Sequence, residues 1–256
     1  MKNLLLLLLL APFSPLRAID FYQPGDTLYV WAASGLVLRK APSLDGAKLK
    51  SIPYGVLLVA LNYSGEKVTE VEAVPAYSSR GEKYPPLKLR GDFALVAFEG
   101  DTGYVFNGYL SKLPPLLLFP NSQPNRPPVF ESLEAWGKRN FGIAAKIERG
   151  KMVYGFPYSC KTIFRNGIIV DTWTEKDSEG RTILPDISFE EAFLMFNYLE
   201  HYEWEIRHVQ QETEEYPWGF VQTNDHEWVF ATGYCEYRIL YLKAEKMTVT
   251  TTLCTE

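Results

Sequence analysis

Ser34-Gly-Leu-Val-Leu-Arg-Lys-Ala-Pro-Ser43 opens on a small-residue turn, runs through four residues of alternating character and stops at a proline. Leu36 and Leu38 alternate with Val37 and Arg39, so one pair can enter a core while the arginine stem lies across a rim. On either side of it, Tyr29 to Ala32, Val56 to Leu61, Phe93 to Phe98 and Gly103 to Phe106 are further β-branched or aromatic runs bounded by Gly, Pro, Asp or Asn. Such spacing predicts short strands. Phe93, Leu95 and Ala97 alternate with Ala94, Val96 and Phe98, apolar on both sides, as in a strand enclosed by a small barrel. No segment before residue 113 shows a helical period, and this half reads as all-β. Gly55 and Gly103 stand where a turn must swing into a strand, positions that often need a positive φ.

Taken with Ile52-Pro-Tyr-Gly55 and Gly103-Tyr-Val-Phe-Asn-Gly-Tyr-Leu110, the opening stretch resembles the bacterial SH3 family in order and spacing over about Leu28 to Leu113. Gly91-Asp92-Phe93 is similar to that family's Gly-Asp-Trp turn, with phenylalanine in place of tryptophan. The departure is a charged, proline-bearing insert between Tyr63 and Arg90, expected to project as a hairpin containing Val68 to Val74 and either to cover or to extend a binding surface. The resemblance implies an SH3-like β-barrel that binds peptidoglycan or another envelope component, such as a protein partner. Trp31, Tyr54, Tyr104 and Tyr109 are the candidate surface aromatics, because rings give contact area at small entropic cost. The alternative for Tyr54 and Tyr104 is that they fill the barrel. Arg90-Gly91-Asp92 matches an adhesion tripeptide, but the turn explains it.

Lys2, the unbroken apolar run Leu4 to Leu10 and the approach to Ala18 have the order of parts in a secretory signal peptide. Residues 1–18 are read as that leader, and the protein as periplasmic or secreted. The run is too short to cross a bilayer, so no transmembrane anchor is expected. The chain of 256 residues carries a formal charge of −5, and loss of Lys2 and Arg17 would make it more acidic. An acidic surface forfeits counterion release on phosphate, which argues against nucleic acid as a partner.

Six prolines between Leu113 and Phe130 can join neither a helix interior nor a central strand. The stretch divides the chain into a barrel at 19–113, a linker at 114–130, with Leu116 to Phe119 packed against one neighbour, and a second domain at 131–256. In the second, Ser188-Phe-Glu-Glu191 has capping-box spacing, and Phe189, Ala192, Phe193, Phe196, Leu199 and Tyr202 follow on one helical face. Ile163 to Thr174 reads as a hairpin turning at Asn166-Gly167. Trp218 to Thr223, Trp228 to Thr232, Tyr234 to Lys243 and Lys246 to Thr252 read as strands. The fold class is mainly β: a barrel, then an α+β half with an antiparallel sheet and one main helix.

Cys160, Cys235 and Cys254 allow one disulfide with a leftover thiol, or three reduced thiols, and spacing does not choose between them. No cysteine has the setting of an activated nucleophile. His201, Glu205 and His208 would share a face if the helix continued, which suits zinc, but they lack a His-Glu-x-x-His pattern and alternate like a strand. No catalytic residue, metal ligand or cofactor is assigned. The expectation is a non-catalytic exported binding or scaffold protein, with a wall hydrolase bearing an unrecognised C-terminal site as the alternative.

Overall fold

The computed structural model describes residues 22–65, 68–79, 82–119, 129–150, 159–174, 178–199, 219–224, 226–231 and 235–254. The leader region, His201, Glu205, His208 and the acidic run at Glu212, Glu214 and Glu215 lie outside them.

Alternating runs give the first half its strands: β1 (Thr27–Val30), β2 (Leu36–Arg39), β3 (Lys48–Ile52), β4 (Leu57–Tyr63), β5 (Thr69–Val74), β6 (Tyr77–Ser79), β7 (Glu82–Tyr84), β8 (Leu87–Gly91), β9 (Phe93–Phe98), β10 (Asp101–Phe106) and β11 (Leu110–Ser111). Seven of them form one antiparallel sheet in the order β11-β1-β4-β9-β10-β2-β3. Leu110, Val30, Leu58, Val96, Val105, Leu38 and Ile52 come one from each strand yet fall in a single buried cluster. A flat sheet of this width could not gather them, so the sheet curls around its own core, while hydrogen bonding leaves the ring open between β3 and β11. Each such aliphatic side chain contributes about 1.5–3 kcal/mol by leaving water.

Leu36 and Leu38 are buried, and Arg39 lies over the rim, donating from its guanidinium to the Gly46 carbonyl at 2.9 Å. Gly55 has a φ of 81°. Gly103 does not adopt a positive φ; its requirement is steric, because a Cβ there would stand 2.6 Å from the Arg39 carbonyl oxygen on the neighbouring strand. The insert forms the expected hairpin, with β5 paired to β8 and β6 to β7, but its base does not project, because Val74, Leu87 and Leu89 are buried in the main core.

The second half contains β12 (Leu118–Phe119), β13 (Val129–Phe130), α1 (Leu133–Phe141), β14 (Ile143–Arg149), β15 (Ser159–Phe164), β16 (Ile169–Thr174), β17 (Ser178–Pro185), α2 (Phe189–Leu199), β18 (Gly219–Asn224), β19 (Glu227–Ala231), β20 (Cys235–Leu242) and β21 (Met247–Cys254). Its eight-stranded antiparallel sheet runs β14-β15-β16-β17-β21-β20-β19-β18, with the last strand in the middle. Cys235 and Cys254 face each other across β20 and β21 and are disulfide-bonded, leaving Cys160 as the free thiol on β15. No helix of the described residues is long and apolar enough to cross a membrane.

The capping box is formed: the Ser188 hydroxyl accepts from the Glu191 amide at 3.1 Å, and the Glu191 carboxylate accepts from the Ser188 amide at 3.0 Å. A single apolar stripe understates α2, however, since Leu194, Met195 and Asn197 are buried along with Phe189, Ala192, Phe193 and Phe196. The helix is enclosed because it lies between β20 and β21 on one side and the 3-10 turn Asn107–Tyr109 on the other. One buried cluster accordingly contains Trp31, Leu89, Phe93 and Phe106 from the first half and Trp136, Phe164, Phe193 and Trp228 from the second.

The described part of the proline stretch, residues 113–119, is docked rather than a free spacer. Proline removes donors and leaves acceptors, and successive carbonyls here are all taken. Leu113 accepts from the Trp31 indole (2.9 Å), Pro114 from the Trp136 indole (2.8 Å), Pro115 from Arg139 (3.1 Å), Leu116 from the Tyr54 hydroxyl (3.1 Å) and Leu117 from the Glu131 amide (3.0 Å). Only Leu116 of the apolar run is buried; Leu117, Leu118 and Phe119 are exposed. Division at the prolines therefore does not separate two packing units, because donors from both sides converge on that backbone.

Candidate functional site

Ala32, Ala33, Ser34 and Gly35 link β1 to β2 with almost no side-chain volume, and the space they leave becomes a cleft of about 550 Å³. It is lined by this loop and the start of β2, with Arg39 and Leu44, by Val71, Glu72 and Ala73 of β5, and by Phe106, Tyr109 and Tyr198. Its volume is within the range of ligand-binding clefts. The loop holds its shape through α2: the Ala33 amide donates to the Tyr198 hydroxyl at 2.8 Å, and that hydroxyl donates to the Trp31 carbonyl. Tyr198 also stacks on Trp31 and on Phe130, with centroids 6.2 and 4.9 Å away. The site is thus built from both halves of the chain.

The four aromatics expected at a binding surface do not form one patch. Trp31 is fully buried, its indole committed to Leu113 and its ring packed edge-on to Tyr54 at 6.5 Å, so the expectation of a surface tryptophan is corrected. Tyr54 is half-buried with its hydroxyl given to Leu116, and burial raises the pKa of that phenol. Tyr104, on β10 opposite Arg39, is half-buried outside the cleft. Tyr109 alone of the four lines it. Tyr198 was missed because it lies off the regular helical stripe, and the loop because small residues carry no aromatic or charged signal.

Arg90-Gly91-Asp92 is structural. A Cβ on Gly91 would meet the Phe106 ring at 2.5 Å, and the Asp92 carboxylate accepts from the Ser64 hydroxyl, from the Gly65 amide at 2.8 Å and from its neighbour Phe93 at 2.7 Å. Asn107 closes the turn by accepting from the Asp92 amide at 2.8 Å.

Among the described residues no thiol or imidazole lines the cleft, and the titratable ones that do are Arg39, Glu72, Tyr109 and Tyr198. Ser34 is the only serine among the described lining residues, and Glu72 is the only carboxylate there. Among the described residues no cluster of three His, Cys, Asp or Glu side chains could hold a metal ion. Replacing Tyr198 by phenylalanine leaves the rings packed and strands the Ala33 amide and Trp31 carbonyl. A loss of about 1–2 kcal/mol is expected in denaturant titrations, together with faster amide exchange across Ala32 to Gly35.

Glu190 begins α2 beside Glu191, facing Arg90 of β8. Burial, reinforced by the Glu191 charge, pushes its carboxyl up to about 7 against the attraction of Arg90. The unfolded carboxyl titrates near its ordinary value, so between about 4.5 and 7 the folded protein holds a proton that the unfolded chain has lost. Stability should fall as pH rises through that window and stay at the lower level above it, by on the order of 2 kcal/mol. Thermal melts at pH 5.5 and 8.5 check this, and Glu190→Gln should reduce the difference.

No protein-family model matches the chain, and no curated protein or solved structure does.

Proposed function

We propose that this chain is an exported, non-catalytic binding protein whose SH3-like sheet and C-terminal half together present one ligand cleft to the cell envelope. The observation that carries the reading is the cleft between Ala32–Val37, β5 and Tyr198: of ligand size, lined by small and aliphatic residues with Phe106, two tyrosines, Arg39 and Glu72, and with no thiol or imidazole among its described lining residues. The resemblance of residues 28–113 to bacterial SH3 domains supports an envelope ligand, either peptidoglycan or an envelope protein. The Cys235–Cys254 disulfide is consistent with an oxidising compartment. Deletion of residues 1–18 is expected to retain the protein in the cytoplasm on fractionation, and unchanged export would contradict the localisation.

The test of function is co-sedimentation with isolated bacterial envelopes. Ser34 is exposed and lines the cleft, so Ser34→Trp fills it from the rim without entering a core. Wild type should pellet, Ser34→Trp should stay in the supernatant with an unchanged circular dichroism spectrum, and no muropeptides should be released. Release by the wild type would overturn the non-catalytic reading in favour of a hydrolase.

A further inference from the structure

β5 pairs only with β8, and its other edge has no strand partner among the described residues. Three consecutive residues of this strand, Val71, Glu72 and Ala73, line the cleft. A strand face contributes alternate residues to whatever it lines, whereas Val71, Glu72 and Ala73 line the cleft consecutively, as they do when the backbone itself faces the space. A register shift between Glu72 and Val74 leaves Ala73 without a partner residue on β8. Such an edge is a ready template for another extended chain.

The charges select among extended chains. Glu70 is bound by both nearby bases, Lys88 at 3.2 Å and Arg90 at 3.3 Å. Glu72 is exposed and has no ion-pair partner among the described residues, although Lys88 is directly opposite it in register. An incoming strand beside β5 therefore meets an uncompensated carboxylate, and opposite charges on paired strands are favourable.

Resting on the reading of the cleft as the binding site, we infer that its occupant is an extended peptide segment of a protein partner, which adds as a strand to the free edge of β5 and places a Lys or Arg beside Glu72. Main-chain hydrogen bonds supply affinity in such strand addition, and the side-chain pair supplies selectivity. A glycan has no repeating amide ladder to match the edge.

The probe is a random dodecapeptide phage library panned on the full protein, with binders to Ser34→Trp removed. Recovered peptides are synthesised and scanned by single N-methylation, which deletes one backbone donor at a time. Strand addition predicts about tenfold or greater loss at alternate residues and little change between them. Glu72→Lys, an exposed change, should weaken a peptide carrying the basic residue, and replacing that residue by Glu should restore binding. An N-methyl profile without period two, or no peptide surviving the counter-selection, would overturn the inference. If protein-free peptidoglycan then pellets the wild type but not Ser34→Trp, the cleft reading stands while the peptide inference falls. If neither probe depends on Ser34, both fall.

Discussion

Replacing Trp31 by alanine is expected to cost about 3–5 kcal/mol, the largest effect of any single truncation considered for this protein. The ring is inaccessible to solvent and stacks on Tyr198, and its indole satisfies the Leu113 carbonyl at 2.9 Å. Removal opens a cavity between the curled sheet and α2 and leaves a buried acceptor unpaired. Trp31→Phe retains most of the packing and forfeits the hydrogen bond, for which about 1–2 kcal/mol is expected. Urea titrations followed by tryptophan fluorescence and by circular dichroism check both values. Because Trp31 belongs to the cluster that also contains Trp136 and Trp228, the two signals should shift together. Loss of the first half alone, with the second retaining its midpoint, would contradict a shared core.

The second large effect is at Glu191. Its carboxylate is nearly inaccessible and receives the Ser111 hydroxyl at 2.7 Å, the Lys112 amide at 2.8 Å and the Ser188 amide at 3.0 Å. Two of these donors come from the end of the curled sheet and the third from the start of α2, so one side chain closes the helix cap and ties it to the first half. Glu191→Ala strands all three donors, and about 3 kcal/mol of destabilisation is expected. Glu191→Gln keeps the shape but turns its amide NH2 toward at least one of the donors, and should fall between alanine and wild type. If Glu191→Ala costs no more than loss of an exposed cap, about 1 kcal/mol, the tie between the halves is not energetically significant.

Local rules made most of the elements legible. Ser188 and Glu191 announced α2 because a capping box is written in four consecutive residues. Asn166-Gly167 announced the β15–β16 hairpin in the same way, and Gly167 takes a φ of 88° there. The elements that escaped lack such markers. Gly137 stands inside α1, and the reason lies elsewhere in the chain: a Cβ would stand 2.5 Å from the Phe164 ring. β14 is mostly exposed and β17 carries Ser178, Glu179, Gly180 and Arg181, so neither has a strong strand composition.

The site was less legible than the fold. Aromatic residues were the natural candidates, yet Trp31 is consumed by packing and Tyr54 by the proline stretch. The cleft depends instead on what is missing from Ala32-Ala33-Ser34-Gly35 and on Tyr198, which is distant in sequence from the loop it holds. Composition signalled that the prolines break regular structure. It could not signal that the successive carbonyls of Leu113, Pro114, Pro115 and Leu116 would recruit two indoles, a guanidinium and a phenol from both sides and so fasten the halves together.

Amide hydrogen exchange on the protein, free and bound to isolated envelopes, tests the joint cleft most directly. Slowed exchange in Ala32–Val37 and in Val71–Ala73 together is the predicted result. Binding with both segments unchanged and protection elsewhere would contradict the assignment of this cleft as the site.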